Sequence, residues 1–276
     1  MAWIQMPDRS IWGYGRFGRR GGRPVLVHHG LMGDATLGAA WASLGESLGL
    51  EWIVIARPGY GRTPPAAMNR VADWPALVEP LLHALGVIGR FDAVGISAGA
   101  PYAYALAAAM PDRVGHLSIL SGVPFIDAAG VLAAYPEDAQ AAYARYASSE
   151  ETDLRAEFRT FCENIATKLG DNPQLSAAVA PILAHDAAGP AREAWLQARD
   201  WGFNQGAIVC PVDLWHAEAD DMVPYAAARL SADGLPNAVW HVQAEPSHLA
   251  SERTLADMAR ILARSRMPAH GSKPVP

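Results

Sequence analysis

Ser97 stands in a setting that could make its hydroxyl a nucleophile. It is the central residue of Gly-Ile-Ser-Ala-Gly at 95–99, which ends an apolar run at 91–96 and precedes a helix-forming stretch at 101–110. A strand, a sharp turn and a helix in this order would hold the hydroxyl above a sheet, because the flanking glycines let backbones approach closely. The amide of Ala98 would then donate to a developing oxyanion beside the helix N-terminus. Taken alone, the five residues also fit an ordinary Gly-rich turn.

A serine hydroxyl needs a base to remove its proton, and that base needs a carboxylate to fix its tautomer. Asp220 follows an apolar run at 212–216, and His248 follows the next run at 238–242. The order Ser, Asp, His would put all three on loops at the carboxyl ends of strands, where open α/β sheets place their sites. We therefore predict Ser97 as the nucleophile, His248 as the general base and Asp220 as the acid that orients the base.

The segment His-His-Gly-Leu-Met-Gly at 28–33 follows another apolar run and could complete an oxyanion site. Its glycines would let the loop fold back towards the nucleophile turn, with the Leu31 amide as the second oxyanion donor. We also expect His29 and Gly30 to contact the substrate. The alternatives are a plain Gly-rich loop and a metal site on His28 and His29, but adjacent strand residues point to opposite faces and no third ligand is evident. We predict no metal and no cofactor.

Other residues offer competing interpretations. Glu218 and Asp221 are rivals of Asp220 for the role of the acid, since several carboxylates share this loop.

The segment Gly-Tyr-Gly-Arg-Phe-Gly at 13–18 matches a dinucleotide-binding fingerprint letter by letter. That fingerprint requires a helix opening at its third glycine, whereas Arg-Arg-Gly-Gly at 19–22 leads into another strand. We therefore interpret 13–18 as a bent edge strand and turn.

The elements that must position these residues alternate between short apolar runs and helix-length segments. The apolar runs predict strands at 24–28, 52–56, 91–96, 117–120, 212–216 and 238–242. They are nearly continuous rather than alternating, as expected for a parallel sheet that helices cover on both faces. Residues 3–5 and 11–14 predict an antiparallel hairpin at the sheet edge. The fold class is therefore predicted as α/β, with a mostly parallel sheet flanked by helices.

The strand pattern stops between residues 123 and 207. Ala-rich helical stretches occupy that segment instead, at 140–147, 154–169, 175–185 and 192–199. We predict that 1–122 and 208–266 form an α/β core, that 123–207 form an inserted helical cap, and that the Pro- and Gly-rich tail at 267–276 is disordered. Aromatic residues of the cap would contact substrate, with Trp201 as the candidate.

Composition narrows the classes of function and location. The chain of 276 residues is 51% hydrophobic, enough for one large core, and its net charge of −6 is spread without long acidic or basic runs. Such a surface gives no footprint for nucleic acid or an anionic membrane. Cys162 and Cys210 are too far apart in sequence to suggest a thiolate metal cage, and no segment reads as a signal peptide or membrane span. We expect a cytoplasmic protein with a small-molecule substrate, as a monomer or homodimer.

In these motifs the sequence resembles the capped α/β-hydrolase superfamily across about residues 25–262, and in particular its esterase, haloperoxidase and proline-iminopeptidase-like branch. The motifs that carry the resemblance are His-Gly-x-x-Gly at 29–33, Arg-Pro-Gly-Tyr-Gly-Arg-Thr at 57–63, the turn at 95–99, and the loops bearing Asp220 and His248. The resemblance implies an eight-stranded sheet with a helical lid. Haloalkane dehalogenase and epoxide hydrolase activities are disfavoured, because members with those activities use aspartate as the nucleophile and position 97 is serine. Aminopeptidase activity is also less favoured, because the His-Gly-Gly-Pro-Gly segment of proline iminopeptidases is absent from this sequence.

These features predict a serine hydrolase that works through a Ser-His-Asp triad, an oxyanion hole and an acyl-enzyme intermediate. The predicted cap carries no Arg or Lys cluster, which favours a small to medium, neutral and fairly hydrophobic ester as substrate. One alternative is a C–C bond hydrolase or a perhydrolase with the same triad, since a catalytic serine does not reveal which carbonyl it meets. The other is a ligand-sensing receptor that keeps the triad but turns over slowly.

Overall fold

Eight strands form one sheet in a computed structural model of the chain, which describes residues 1–169, 173–243 and 247–265. The strands are β1 (Ala2–Gln5), β2 (Ile11–Gly18), β3 (Arg23–His28), β4 (Leu50–Ile55), β5 (Phe91–Ile96), β6 (Val114–Leu120), β7 (Val212–His216) and β8 (Ala238–Val242). Their spatial order is β1-β2-β4-β3-β5-β6-β7-β8. The six strands from β3 to β8 are mutually parallel, whereas β2 pairs antiparallel with both β1 and β4. The predicted mostly parallel sheet of eight strands is confirmed.

Helices connect the strands and form an insertion between β6 and β7. The connecting helices are α1 (Ala39–Leu48), α2 (Trp74–Ala84), α3 (Ala100–Ala109), α7 (Tyr225–Ala232) and α8 (Glu252–Arg264). The insertion comprises α4 (Glu137–Ser148), α5 (Glu151–Leu169) and α6 (Pro173–Gln197). The backbone of α6 leaves the helical conformation at 184–187, so its C-terminal part is a separate helical piece. We call α4 to α6 the helical insertion.

The sheet is buried between two hydrophobic clusters, one on each face. Successive residues of β4 alternate between them: Ile53 belongs to the cluster that contains residues of α2 and α3, and Trp52 to the cluster that contains residues of α8. Side chains of a strand point to opposite faces in turn, so a continuous apolar run fits a strand covered on both sides. This double burial explains why the inner strands could be found from their apolar runs, whereas the edge strands β1 and β8 are partly exposed.

The glycine-rich segment 13–18 lies in β2 and forms no phosphate-binding turn. It was expected at the sheet edge, but β1 pairs along its outer side, so β2 is the second strand. A Cβ atom at Gly15 would lie 2.6 Å from the ring of Phe17, and Gly18 has φ +74°, which side chains disfavour. The glycines therefore serve packing and a turn rather than a nucleotide.

The topology brings the ends of four strands to one edge of the sheet. Parallel strands share the direction of their carboxyl ends, so the residues that follow β3, β5, β7 and β8 gather there.

None of the described helices is both long enough and apolar enough to cross a membrane. The tail at 267–276, predicted as disordered, lies outside the described residues.

Candidate active site

The turn that carries Ser97 is built by close backbone packing. Ser97 has φ +50°, a left-handed conformation that residues other than glycine rarely adopt. A Cβ at position 95 would lie 2.6 Å from the Cα of Ala100, and one at position 99 would lie 2.6 Å from the carbonyl oxygen of His29. Only glycine fits at 95 and 99, and the strained serine between them is held where its hydroxyl meets the cavity described below.

Ser97, His248 and Asp220 form one hydrogen-bonded chain. The Oγ atom of Ser97 lies 2.9 Å from Nε2 of His248, and Nδ1 of His248 lies 2.9 Å from Oδ2 of Asp220. A carboxylate can only accept, so the proton of the neutral imidazole sits on Nδ1, and Nε2 is free to accept from the hydroxyl. The structure thus brings together the three residues that the sequence singled out.

The carboxylate of Asp220 is fully buried and held by several donors. Its Oδ1 atom accepts from the amides of Met222 and Val223, each at 2.9 Å. Burial raises the pKa of this carboxyl, but the hydrogen bonds from His248, Val223 and Met222 outweigh burial, so the pKa is lowered below its ordinary value. The two rival acids, Glu218 and Asp221, are exposed, and neither contacts the imidazole of His248 in the described structure.

The two residues predicted to supply oxyanion donors lie beside Ser97. Leu31, Ser97 and Ala98 line the same cavity. The loop that carries Leu31 runs directly past the serine, since a Cβ placed on Gly30 would lie 3.6 Å from the Cβ of Ser97. The site therefore offers two loops at which backbone amides can meet a reacting carbonyl.

The adjacent histidines His28 and His29 have protein partners on all four ring nitrogens. His28 donates from Nδ1 to the carbonyl of Val94 at 3.2 Å and accepts at Nε2 from the indole of Trp74 at 3.0 Å. His29 donates from Nδ1 to the Gly30 carbonyl at 2.8 Å and accepts at Nε2 from the amide of residue 57 at 3.2 Å. Both are buried, and burial is the main reason that their pKa values lie below the ordinary one. His29 thus holds the loop in shape and is not among the residues that line the cavity; its expected contact with substrate stays a prediction.

A cavity of about 260 Å³ opens above Ser97, between the sheet edge and the helical insertion. Most of its lining is apolar. The aromatic part consists of Tyr143, Tyr146, Phe158 and Phe161, all from α4 and α5. Glu157 is a carboxylate in this lining, and it accepts from Arg145 at 2.7 Å and from the Tyr146 hydroxyl at 3.2 Å. The cavity therefore suits an apolar group of modest size.

Trp201 lies in the hydrophobic core and does not contribute to this cavity. Its side chain is 1% exposed and packs against Phe125, with the ring centroids 4.5 Å apart. The indole N–H donates to the carbonyl of Gln197 at 3.1 Å. The structure therefore places Trp201 away from the cavity that it was expected to line. An aromatic residue at the end of a helical segment is equally suited to a core, and the sequence does not show which way it faces.

Three polar residues near the site were not found from the sequence. Arg57 is buried and pairs through Nε with Oε1 of Glu193 at 2.5 Å, while Gln197 donates from Nε2 to the Ala98 carbonyl at 2.8 Å. Burial lowers the pKa of Arg57, but Glu193, Tyr60 and Tyr102 together raise it by more, so the guanidinium stays charged. A signal was available: Glu193 and Gln197 are polar and four residues apart, so they share one face of a helix.

The chain belongs to the alpha/beta hydrolase family, which it matches over residues 25–261. Its fold is similar to that of an esterase from Exiguobacterium antarcticum, at 18% identity and a TM-score of 0.70, covering 95% of this chain and 99% of that one. An enol-lactonase from Burkholderia xenovorans LB400 is similar at 16% identity and a TM-score of 0.63, covering 95% and 96%. A bromoperoxidase from Bacillus anthracis is similar at 15% identity and a TM-score of 0.67, covering 95% and 98%. At these identities the likeness shows a shared fold.

Proposed function

We propose that this protein is a serine hydrolase that cleaves small to medium, neutral and fairly hydrophobic esters. The observation that carries the proposal is the hydrogen-bonded chain from Asp220 through His248 to Ser97, with 2.9 Å at each of its two steps. Such a relay lets a neutral imidazole take the serine proton while an ionised carboxylate stabilises the imidazolium that results. Because hydrogen bonds keep the pKa of Asp220 low, that carboxylate stays ionised throughout.

The reaction runs in two halves. In the first, Nε2 of His248 takes the hydroxyl proton while Oγ of Ser97 attacks the ester carbonyl, and the oxyanion accepts from the amides of Leu31 and Ala98. The imidazolium then gives its proton to the leaving alcohol, and the acyl group stays on Ser97. In the second half, His248 activates a water that attacks the acyl carbonyl, and the proton returns to Ser97 as the acid leaves.

The lining of the cavity supports the choice of substrate. Tyr143, Tyr146, Phe158 and Phe161 offer ring faces and edges to an apolar acyl or alcohol group. Among the described residues that line the cavity, Glu157 is the only carboxylate, and no lysine or arginine lines it that could bind a carboxylate or phosphate of the substrate. A neutral ester is therefore favoured over an anionic one.

Labelling and turnover of Ser97 test this function. A fluorophosphonate should modify Ser97 in the native protein, and Ser97→Ala should lower kcat for a p-nitrophenyl ester by about 10⁴-fold or more while the protein stays folded. The loss is expected because no other group in the relay can form the acyl-enzyme. Ready ester turnover by folded Ser97→Ala, or modification of a different serine, would contradict the proposal.

A substrate panel separates the ester from its alternatives. The panel contains esters of graded acyl length and lactones, which test ester hydrolysis. It also contains a vinylogous 1,5-diketone, which tests C–C bond cleavage, and a carboxylic acid with hydrogen peroxide, which tests perhydrolysis. We expect the highest kcat/KM for the open esters. A burst of one equivalent followed by almost no steady-state rate would instead favour a receptor that turns over slowly.

A further inference from the structure

The C-terminal part of α6 reaches both loops that surround the reacting carbonyl. Glu193 and Gln197 lie one helical turn apart after the break at 184–187, and both side chains are buried. Glu193 is tied to the loop that carries Leu31, and Gln197 to the residue after the nucleophile. Both connections start from one short helical piece. One ends at the backbone just before Leu31 and the other ends at Ala98, and these are the two residues proposed as oxyanion donors.

The first connection runs through Arg57. The guanidinium pairs with Glu193 on one side and, on the other, donates from Nη1 to the carbonyl of His29 and from Nη2 to that of Gly30 at 3.4 Å. Both carbonyls belong to the backbone immediately before Leu31. A rigid, planar guanidinium that holds two consecutive carbonyls restricts how the next peptide can turn, so it fixes the direction of the Leu31 amide.

The second connection is direct. Nε2 of Gln197 donates to the carbonyl of Ala98 at 2.8 Å. This bond reaches the strained turn, where Ser97 has φ +50° and the residue that follows supplies the other proposed donor. Holding the Ala98 carbonyl restrains rotation of the peptides on either side of that residue.

Helix α6 packs against the loop after β4 on both sides of its break at 184–187. A Cβ on Gly59 would lie 2.7 Å from the Cα of Gly189, so the two backbones are in close contact. The amide of Gly61 donates to the carbonyl of Pro181 at 2.8 Å. By contrast, the aromatic lining of the cavity comes from α4 and α5. Helix α6 contributes Ala194 and Gln197 to the cavity lining and also packs against the loop after β4.

We propose that Glu193, acting through Arg57, and Gln197 are positioning residues that hold the two oxyanion donors at the spacing the transition state requires. The inference rests on the proposed serine hydrolase function. Preorganised donors stabilise the transition state more than the bound ester, so loosening them lowers kcat more than it raises KM. Loss of a donor itself costs about 10²- to 10³-fold in kcat. The donor remains when only its support is lost, so we expect a smaller loss of about 10- to 100-fold in kcat, scaled down from the cost of losing the donor.

Gln197→Leu tests this inference, with Gln140→Leu as the matched control. Gln140 is also a glutamine of the helical insertion whose Nε2 donates to a backbone carbonyl, that of Tyr135 at 2.7 Å, but it is not part of the cavity lining. Gln197→Leu should lower kcat for an ester about 10-fold or more and leave KM within about twofold. It should weaken binding of a boronic acid, which forms a tetrahedral adduct with Ser97, by a similar factor. Gln140→Leu should change neither.

Two further variants guard against a simple folding defect. Gln197→Glu keeps the shape of the side chain, and its carboxyl can donate to the Ala98 carbonyl only when protonated, so its kcat relative to the native protein should rise as pH falls. Glu193→Gln keeps an acceptor for Arg57 without the charge and should lower kcat with little change in KM. If Gln197→Leu does not fold, these two variants decide.

The outcomes separate this inference from the proposed function. Native kcat in folded Gln197→Leu and Glu193→Gln would overturn the positioning role and leave the serine hydrolase standing. An equal loss in Gln140→Leu would also overturn it, because the effect would then belong to the insertion in general. Absence of labelling at Ser97 in the native protein would overturn both proposals together.

Discussion

Replacing Asp220 with asparagine should invert the tautomer of His248 without unfolding the site. Oδ1 of Asp220 accepts from the amides of Met222 and Val223 at 2.9 Å each. An asparagine must keep its carbonyl oxygen at that position, because an NH₂ group cannot accept from two N–H donors. The NH₂ group then takes the place of Oδ2, 2.9 Å from Nδ1 of His248. Oδ1 lies 3.0 Å from the same nitrogen, but its two lone pairs already accept from the two amides, so we expect Nδ1 to accept from the NH₂ group and the imidazole proton to move to Nε2.

That inversion removes the general base. With its proton on Nε2, the imidazole of His248 donates towards Ser97 and cannot take the hydroxyl proton. We expect kcat to fall about 10⁴-fold, the scale of a triad with the wrong tautomer, which corresponds to about 5 kcal/mol of transition-state stabilisation. The two amide bonds to Oδ1 remain, so the melting temperature should change little.

The assay is p-nitrophenyl ester turnover at pH 7, with circular dichroism as the folding check. Asp221→Asn is the matched control: it makes the same change at the exposed neighbouring residue and should leave kcat unchanged. Activity within about tenfold of native in Asp220→Asn would refute the argument, since no tautomer inversion would then have occurred. A large loss of kcat in Asp221→Asn would instead indicate that Asp221, and not Asp220, is the acid that orients His248.

Two other predictions concern the cavity and the core. Phe161→Ala should raise KM for an aromatic ester about fivefold and leave kcat nearly unchanged, because one aromatic contact is worth about 1 kcal/mol and lies away from the reacting carbonyl. Trp3→Ala, which removes another exposed aromatic side chain, is the control. An equal KM in both variants would count against the cavity as the binding site. Burial lowers the pKa of His28 to about 3 from its ordinary 6.5. Below pH 6.5 the imidazole therefore takes up a proton in the unfolded chain but not in the folded protein. The free energy of unfolding should fall by up to about 1.4 kcal/mol per pH unit down to pH 3. Urea unfolding at pH 7 and pH 5 should show a smaller loss for His28→Gln, which can still accept from Trp74, and identical losses would exclude His28 as the source.

Part of this protein could be predicted from the sequence because the relevant information is local. Apolar runs indicate strands, and the glycine at 95 is required by the backbone of Ala100, five residues further on, so most strands and the turn that carries Ser97 could be located. The glycine at 99 is required by the distant backbone of His28 and His29, and only the pattern of the turn indicated it. The order of Ser97, Asp220 and His248 relative to the strands then predicted one edge of a parallel sheet, because parallel strands end on the same side. The sequence by itself therefore determined the fold class and three residues that the structure places in hydrogen-bonding contact.

Only the tertiary structure decided which side chains face the cavity and which face the core. Trp201 and Phe161 are both aromatic residues of the predicted cap, yet one is 1% exposed in the core and the other lines the cavity, because the direction of each depends on how its segment packs. The pairing of Arg57 with Glu193 joins residues 136 positions apart, and no local pattern encodes such a contact. Burial and hydrogen bonding are properties of the assembled chain, and they arise only when distant segments meet.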